Sequence, residues 1–180
     1  GKYLAKMAEG AYGGVGVSAQ LAVFGEAAVT PLIEMAEKTG KGAKDQAAKD
    51  RVWESRIWAI VTLCNTKSKR AEEYILKRLH DPLDFRDLSF LAWHSQGFRS
   101  PRVTKDIRKL AEDIACGREM AWEKTHGAAS RTRGMGALQF MCKHFISTKQ
   151  SLTDETIAAA INFTNAELTG YALMAWQPDS

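Results

Sequence analysis

The stretch Arg51-Val-Trp-Glu-Ser-Arg-Ile-Trp-Ala-Ile-Val-Thr-Leu-Cys-Asn65 decides the fold class. Trp53, Ile57, Ile60, Val61 and Cys64 recur at steps of three and four residues, which lays one apolar stripe along a helix of 3.6 residues per turn. The same spacing returns in both directions along the chain. Val29, Leu32, Ile33 and Ala36 form a shorter stripe, Val103, Ile107, Leu110 and Ile114 a longer one, and Met135, Leu138, Cys142 and Phe145 another. No segment sustains the strict alternation that a strand requires, so the chain reads as all-α.

Start and stop residues divide the pattern into helices. Ser100-Pro101 reads as an N-cap followed by proline at the first helical position, where the missing N–H costs nothing. Asp81-Pro82 reads the same way, and Ser151-Leu-Thr-Asp154 has the form of a capping box. Pro31 belongs in a first turn, which places a helix start near Ala28–Thr30. Gly25, Gly40, Gly97 and Gly127 stand between periodic segments as terminators. The predicted helices cover residues 2–9, 15–24, 28–39, 47–65, 68–80, 84–96, 101–124, 131–147 and 153–175. The last is expected to break near Thr164–Asn165 or Gly170, and the polar stretch Gly40–Gln46 to be a surface turn. Short connections make neighbouring helices antiparallel.

Several helix pairs carry a further pattern. Gly25-Glu-Ala-Ala-Val-Thr-Pro-Leu-Ile-Glu-Met35 resembles the turn and second helix of a HEAT repeat, and Tyr74-Ile-Leu-Lys-Arg-Leu-His-Asp-Pro82 the end of another. Leu83-Asp-Phe-Arg-Asp-Leu-Ser-Phe-Leu-Ala92 resembles the opening of the next repeat, and Asp50–Ile60 is a looser match to that opening. The resemblance covers residues 15–116 and extends to the HEAT-like proteins of the phycobilisome-lyase type. It implies a short right-handed α-solenoid, an α-α superhelix of antiparallel pairs whose second helices line a groove. Residues 117–180 are expected to form a helical C-terminal part of the same single domain, 1–180. The acidic last helix, which lacks lysine, would cap it.

Composition agrees with a packed domain. The chain has 180 residues, 45% hydrophobic and 26% charged, enough to bury a core. Cys64, Cys116 and Cys142 are widely spaced with no C-x-x-C pair, which suits reduced thiols in a cytoplasmic protein better than a zinc site. No run of about 18 apolar residues suggests a membrane span. The glycine-broken segment Ala11–Phe24 behind Lys2 and Lys6 is expected to be an amphipathic first helix rather than a leader.

Charge is distributed unevenly. Residues 41–118 carry 17 basic and 11 acidic side chains, whereas residues 150–180 carry four acidic and none basic. Arg99, Arg102, Lys105, Arg108 and Lys109 recur opposite the Val103–Ile114 stripe and are candidates for contact with a polyanion or an acidic partner. Arg131 and Arg133 near a helix start are further anion candidates, and Trp93 and Trp122 could stack on a base or a partner. His80, His94, His126 and His144 have no H-x-x-x-H spacing, and no nucleotide-binding or nucleophile-elbow motif is present, so no metal, cofactor or catalytic set is assigned. The expectation is a non-enzymatic, HEAT-like module that binds a protein partner. The alternative is a nucleic-acid-binding or DNA-repair protein similar to the HEAT-like alkylpurine glycosylases, with a basic groove.

Overall fold

The computed structural model describes residues 5, 15–83, 85–118, 129–161 and 166–175; for 15–17, 85, 86, 129–135, 160 and 166–169 it describes the backbone only. All regular structure among these residues is helical. The helices are α1 (Val15–Ala22), α2 (Glu26–Ala36), α3 (Gln46–Asn65), α4 (Lys69–His80), α5 (Phe85–His94), α6 (Pro101–Ala115), α7 (Ala129–Thr148), α8 (Asp154–Ile161) and α9 (Ala166–Ala175). A 3-10 turn, Ser95–Phe98, links α5 to α6. No helix among the described residues is long and apolar enough to cross a membrane.

The chain divides into two compact units, residues 1–77 and 78–180, with the boundary inside α4. In the first unit α1 and α2 pack on α3. The middle of α3 is buried almost all round, from Ser55 to Ile57 and from Ala59 to Cys64, so its stripe widens into a core helix. Arg56 is part of that core. Its Nε donates to the carbonyl of Ala36, 3.4 Å away, so a buried guanidinium satisfies an orphan carbonyl at the C-terminus of α2. Gly25 enters α2 at φ +51° and ψ −126°, a region open to glycine alone, with no atom near enough to obstruct a Cβ. Asp45 caps α3 by accepting from the Ala48 N–H at 2.7 Å.

In the second unit α7 packs on α5, α6 and α9, and α8 packs on α6 and α9. Thus α5, α7 and α9 follow one another in contact, α6 and α8 do likewise, and cross-contacts join the two series. The predicted stripes are what fills the space between them. Val103, Ile107, Leu110 and Ile114 are buried, as are Leu138, Cys142 and Phe145. The Leu152 N–H donates to the Ala175 carbonyl at 3.3 Å, fastening the start of α8 to the end of α9.

Several boundaries differ from expectation. The 101–124 helix stops at Ala115, because Gly117 turns left-handed (φ +65°) and a Schellman motif closes the end, with the Arg118 N–H donating to the Asp113 carbonyl. Pro31 lies inside α2 rather than in its first turn; the carbonyl it leaves without a donor belongs to exposed Ala27. The Asp81-Pro82 pair does not open α5, which begins at Phe85; Asp81 instead accepts from Arg78. The cap of α8 is Thr153, whose Oγ1 accepts from the Thr156 N–H at 3.3 Å, so the box begins two residues later than Ser151. Gly170 continues α9 without a break. The expected helix 2–9, residues 119–124, Gly127 and the Thr164–Asn165 break fall outside the described residues apart from Ala5, which is helical.

Candidate interaction surface

Helix α6 carries its predicted cations, but their neighbours divide them. Ser100 accepts from the Val103 N–H at 3.4 Å and Pro101 opens the first turn, as the sequence indicates. This start sets the rotation that buries Val103, Thr104, Ile107, Leu110 and Ala111. The opposite face holds acids as well as bases. Lys109 Nζ lies 2.6 Å from Asp113, which also receives Arg118 at 2.8 Å, and Arg118 reaches Glu155 at 3.8 Å. Desolvation raises the Asp113 carboxyl, yet the hydrogen bonds from Lys109 and Arg118 outweigh it and hold its pKa below the ordinary value. His80 Nε2 sits 2.7 Å from Asp106; that hydrogen bond lifts the imidazole above its ordinary pKa despite partial burial. The basic row is therefore interleaved with counter-charge.

Arg108 is turned inward to a different task. Its Nη2 donates to the Ser151 carbonyl at 3.1 Å and to Gln150 at 3.4 Å, and its guanidinium lies 5.6 Å from the Phe145 ring centroid. It pins α6 to the α7–α8 connection. Arg99, Arg102 and Lys105 are left exposed, and none pairs with a carboxylate among the described residues. Trp122 and the side chains of Arg131 and Arg133 lie outside the described residues.

Beneath this surface, His144 is 1% exposed and joins three elements. Ser95 gives its hydroxyl proton to the Ala92 carbonyl at 2.9 Å, so its oxygen is free to accept from His144 Nδ1 at 3.4 Å. His144 Nε2 lies 3.3 Å from the Thr104 hydroxyl, which gives its own proton to the Ser100 carbonyl at 3.2 Å, so the ring is held between two hydroxyl oxygens. Burial pushes the His144 pKa down to about 4. This imidazole is a fastener between α7, α6 and the 3-10 turn.

A further cluster among the described residues of the second unit is aromatic. Trp93 from α5 stacks on His94 (5.2 Å between centroids) and tilts against Phe140 of α7 (5.9 Å). Phe90 stacks on His94 from one turn earlier, at 6.1 Å. Lys143 Nζ lies 4.6 Å from the Tyr171 centroid, 4.8 Å from Phe140 and 5.5 Å from Trp93. Each such cation–π contact contributes roughly 0.5–2 kcal/mol, depending on desolvation. All of these side chains are half-buried, so the rings form a surface open to solvent on one side. Met174, 65% exposed, stands one turn beyond Tyr171.

Trp93 is the one predicted site residue that this cluster contains. Phe90, Phe140, Lys143 and Tyr171 are absent from the candidates read in the sequence, because their meeting depends on three helices far apart in the chain. The local signals are the i, i+3 and i, i+4 spacings of Phe90 with Trp93 and His94 on α5 and the i, i+3 spacing of Phe140 with Lys143 on α7. Among the described residues no group of His, Cys, Asp and Glu is arranged to hold a metal. Compared with protein-family models, curated proteins and solved structures, the chain matches none.

Proposed function

We propose that this protein is a HEAT-like interaction module, not an enzyme, and that it binds a protein partner through the aromatic face of α5, α7 and α9. The observation that carries this reading is the half-buried cluster of Trp93, Phe140 and Tyr171, gathered from three helices around Lys143. Tryptophan and tyrosine are among the side chains that dominate binding energy at protein interfaces. The linked series α5–α7–α9 and α6–α8 supports the solenoid expectation, since stacked helix pairs touch in that order.

A photo-crosslinking amino acid at position 90 tests the assignment. It should yield a discrete protein adduct from native extract, and Trp93→Ala should abolish it while leaving the far-ultraviolet circular dichroism unchanged. Adduct formation indifferent to Trp93→Ala would sink the reading.

A second reading rests on Arg99, Arg102 and Lys105, which are exposed and lack carboxylate partners among the described residues. Three phosphate contacts give weak, salt-sensitive binding to nucleic acid. Electrophoretic binding to duplex and single-stranded DNA across a salt series decides it. Affinity absent at about 50 mM salt, where phosphate contacts are strongest, removes that alternative.

A further inference from the structure

The geometry points to a second use of Trp93, Phe140 and Tyr171: they form a cage that accepts a methylated lysine side chain, with Lys143 as its displaceable plug. The inference sharpens the protein-partner reading by naming what the partner would present, but its test needs no partner protein.

Three rings from three helices face one ammonium within 5.5 Å of each centroid. No carboxylate among the described residues pairs with that ammonium, so the rings alone hold it. A cage without a counter-ion discriminates by hydration. A primary ammonium is strongly hydrated and regains its full shell when it swings into solvent. A trimethylammonium is poorly hydrated and gives up little on entering, while its methyl groups carry the same positive charge onto the ring faces. Exchange of one for the other is thus favoured by solvation, and is opposed by the high effective concentration of a side chain tethered on α7. Nothing else retains Lys143: it is half-buried and has no hydrogen bond to its Nζ among the described residues.

The identity of the resident also argues for a lysine side chain in particular. The cage already admits an ammonium at the end of a four-carbon stem, 4.8 Å from the Phe140 centroid. A methylated lysine presents the same stem and a better-matched head.

The experiment is a nuclear magnetic resonance titration of the intact chain with Nε-trimethyllysine amide, with unmodified lysine amide and choline as comparisons at constant ionic strength. We expect a saturable shift of the Trp93 indole N–H with trimethyllysine in the millimolar range, and none with lysine. Lys143→Met removes the plug; if Lys143 fills the cage about nine-tenths of the time, affinity rises about tenfold. Tyr171→Leu in the Lys143→Met background removes the ring nearest the ammonium, keeps the Trp93 reporter, and abolishes the shift. Lys143→Gln serves if the Met variant does not give a native amide spectrum. The inference is overturned by a folded plug-less variant that shows no saturable response. It is equally overturned by wild-type affinity equal to that of the variant, or by choline binding where trimethyllysine does not.

Discussion

Acid should loosen the second unit through His144, and the size of the effect follows from its burial. The imidazole has an ordinary pKa of 6.5, pushed down to about 4 in the folded chain. Between those values the unfolded chain binds a proton that the folded chain refuses. Stability therefore rises with pH across that window: it is fully present above pH 6.5 and is lost as pH falls toward 4. At 1.36 kcal/mol per unit, the loss amounts to about 3 kcal/mol. Burial lowers the His94 pKa as well, which adds in the same direction. His80 has the opposite sign, because Asp106 raises its pKa; its contribution is present below pH 6.5 and lost at higher pH. Comparison with His144→Gln isolates the residue, since the variant keeps a polar side chain but cannot titrate. Native-state hydrogen exchange of the α7 amides, measured from pH 7 to pH 4.5, is the suitable assay because it reports this unit alone. The wild type should lose more protection than the variant over that range, with the gap approaching 3 kcal/mol at its acid end. Parallel curves for the two proteins, or a His144 pKa near 6.5 by resonance titration, would refute the reasoning.

Other perturbations separate structural from surface roles. Phe145→Ala should cost about 3–5 kcal/mol in urea unfolding, since the ring is fully buried and also underlies Arg108. Arg108→Ala should cost about 1–2 kcal/mol by breaking the bond to the Ser151 carbonyl, whereas Lys109→Ala, in an exposed pair, should change stability by less than about 1 kcal/mol. Gly25→Ala should destabilise by about 1–3 kcal/mol on backbone grounds alone. Lys149 holds φ +53° at the end of α7, so Lys149→Gly should raise the thermal midpoint slightly, by relief of about 1 kcal/mol of left-handed strain.

The helices were legible because their signals are local. The Val103–Ile114 stripe, the Ser100 cap and Pro101 each need only neighbours within one or two turns, and each lies where the sequence placed it. Misplaced boundaries came from signals that two local arrangements satisfy equally. Ser151 and Thr153 are both competent caps, and only the bond between Leu152 and Ala175 shows which turn begins the helix. The candidate surface was the least legible part. Five cations at helical spacing look like one basic stripe, yet Arg108 is recruited inward by Ser151, and Lys109 is matched by Asp113, a carboxylate it shares with Arg118. Conversely, Lys143 and Tyr171 are unremarkable in sequence and gain meaning only when α7 and α9 bring them to Trp93. Pairing over long separations leaves no mark at the spacing of a single helix.

The most direct test of the interaction face is a comparative capture with three forms of the intact chain: wild type, Trp93→Ala and Lys105→Glu. The account predicts that a specific protein partner is retained by the wild type and by Lys105→Glu, and is lost with Trp93→Ala. Retention by Trp93→Ala together with loss in Lys105→Glu would contradict it and transfer the binding surface to the exposed cations of α6.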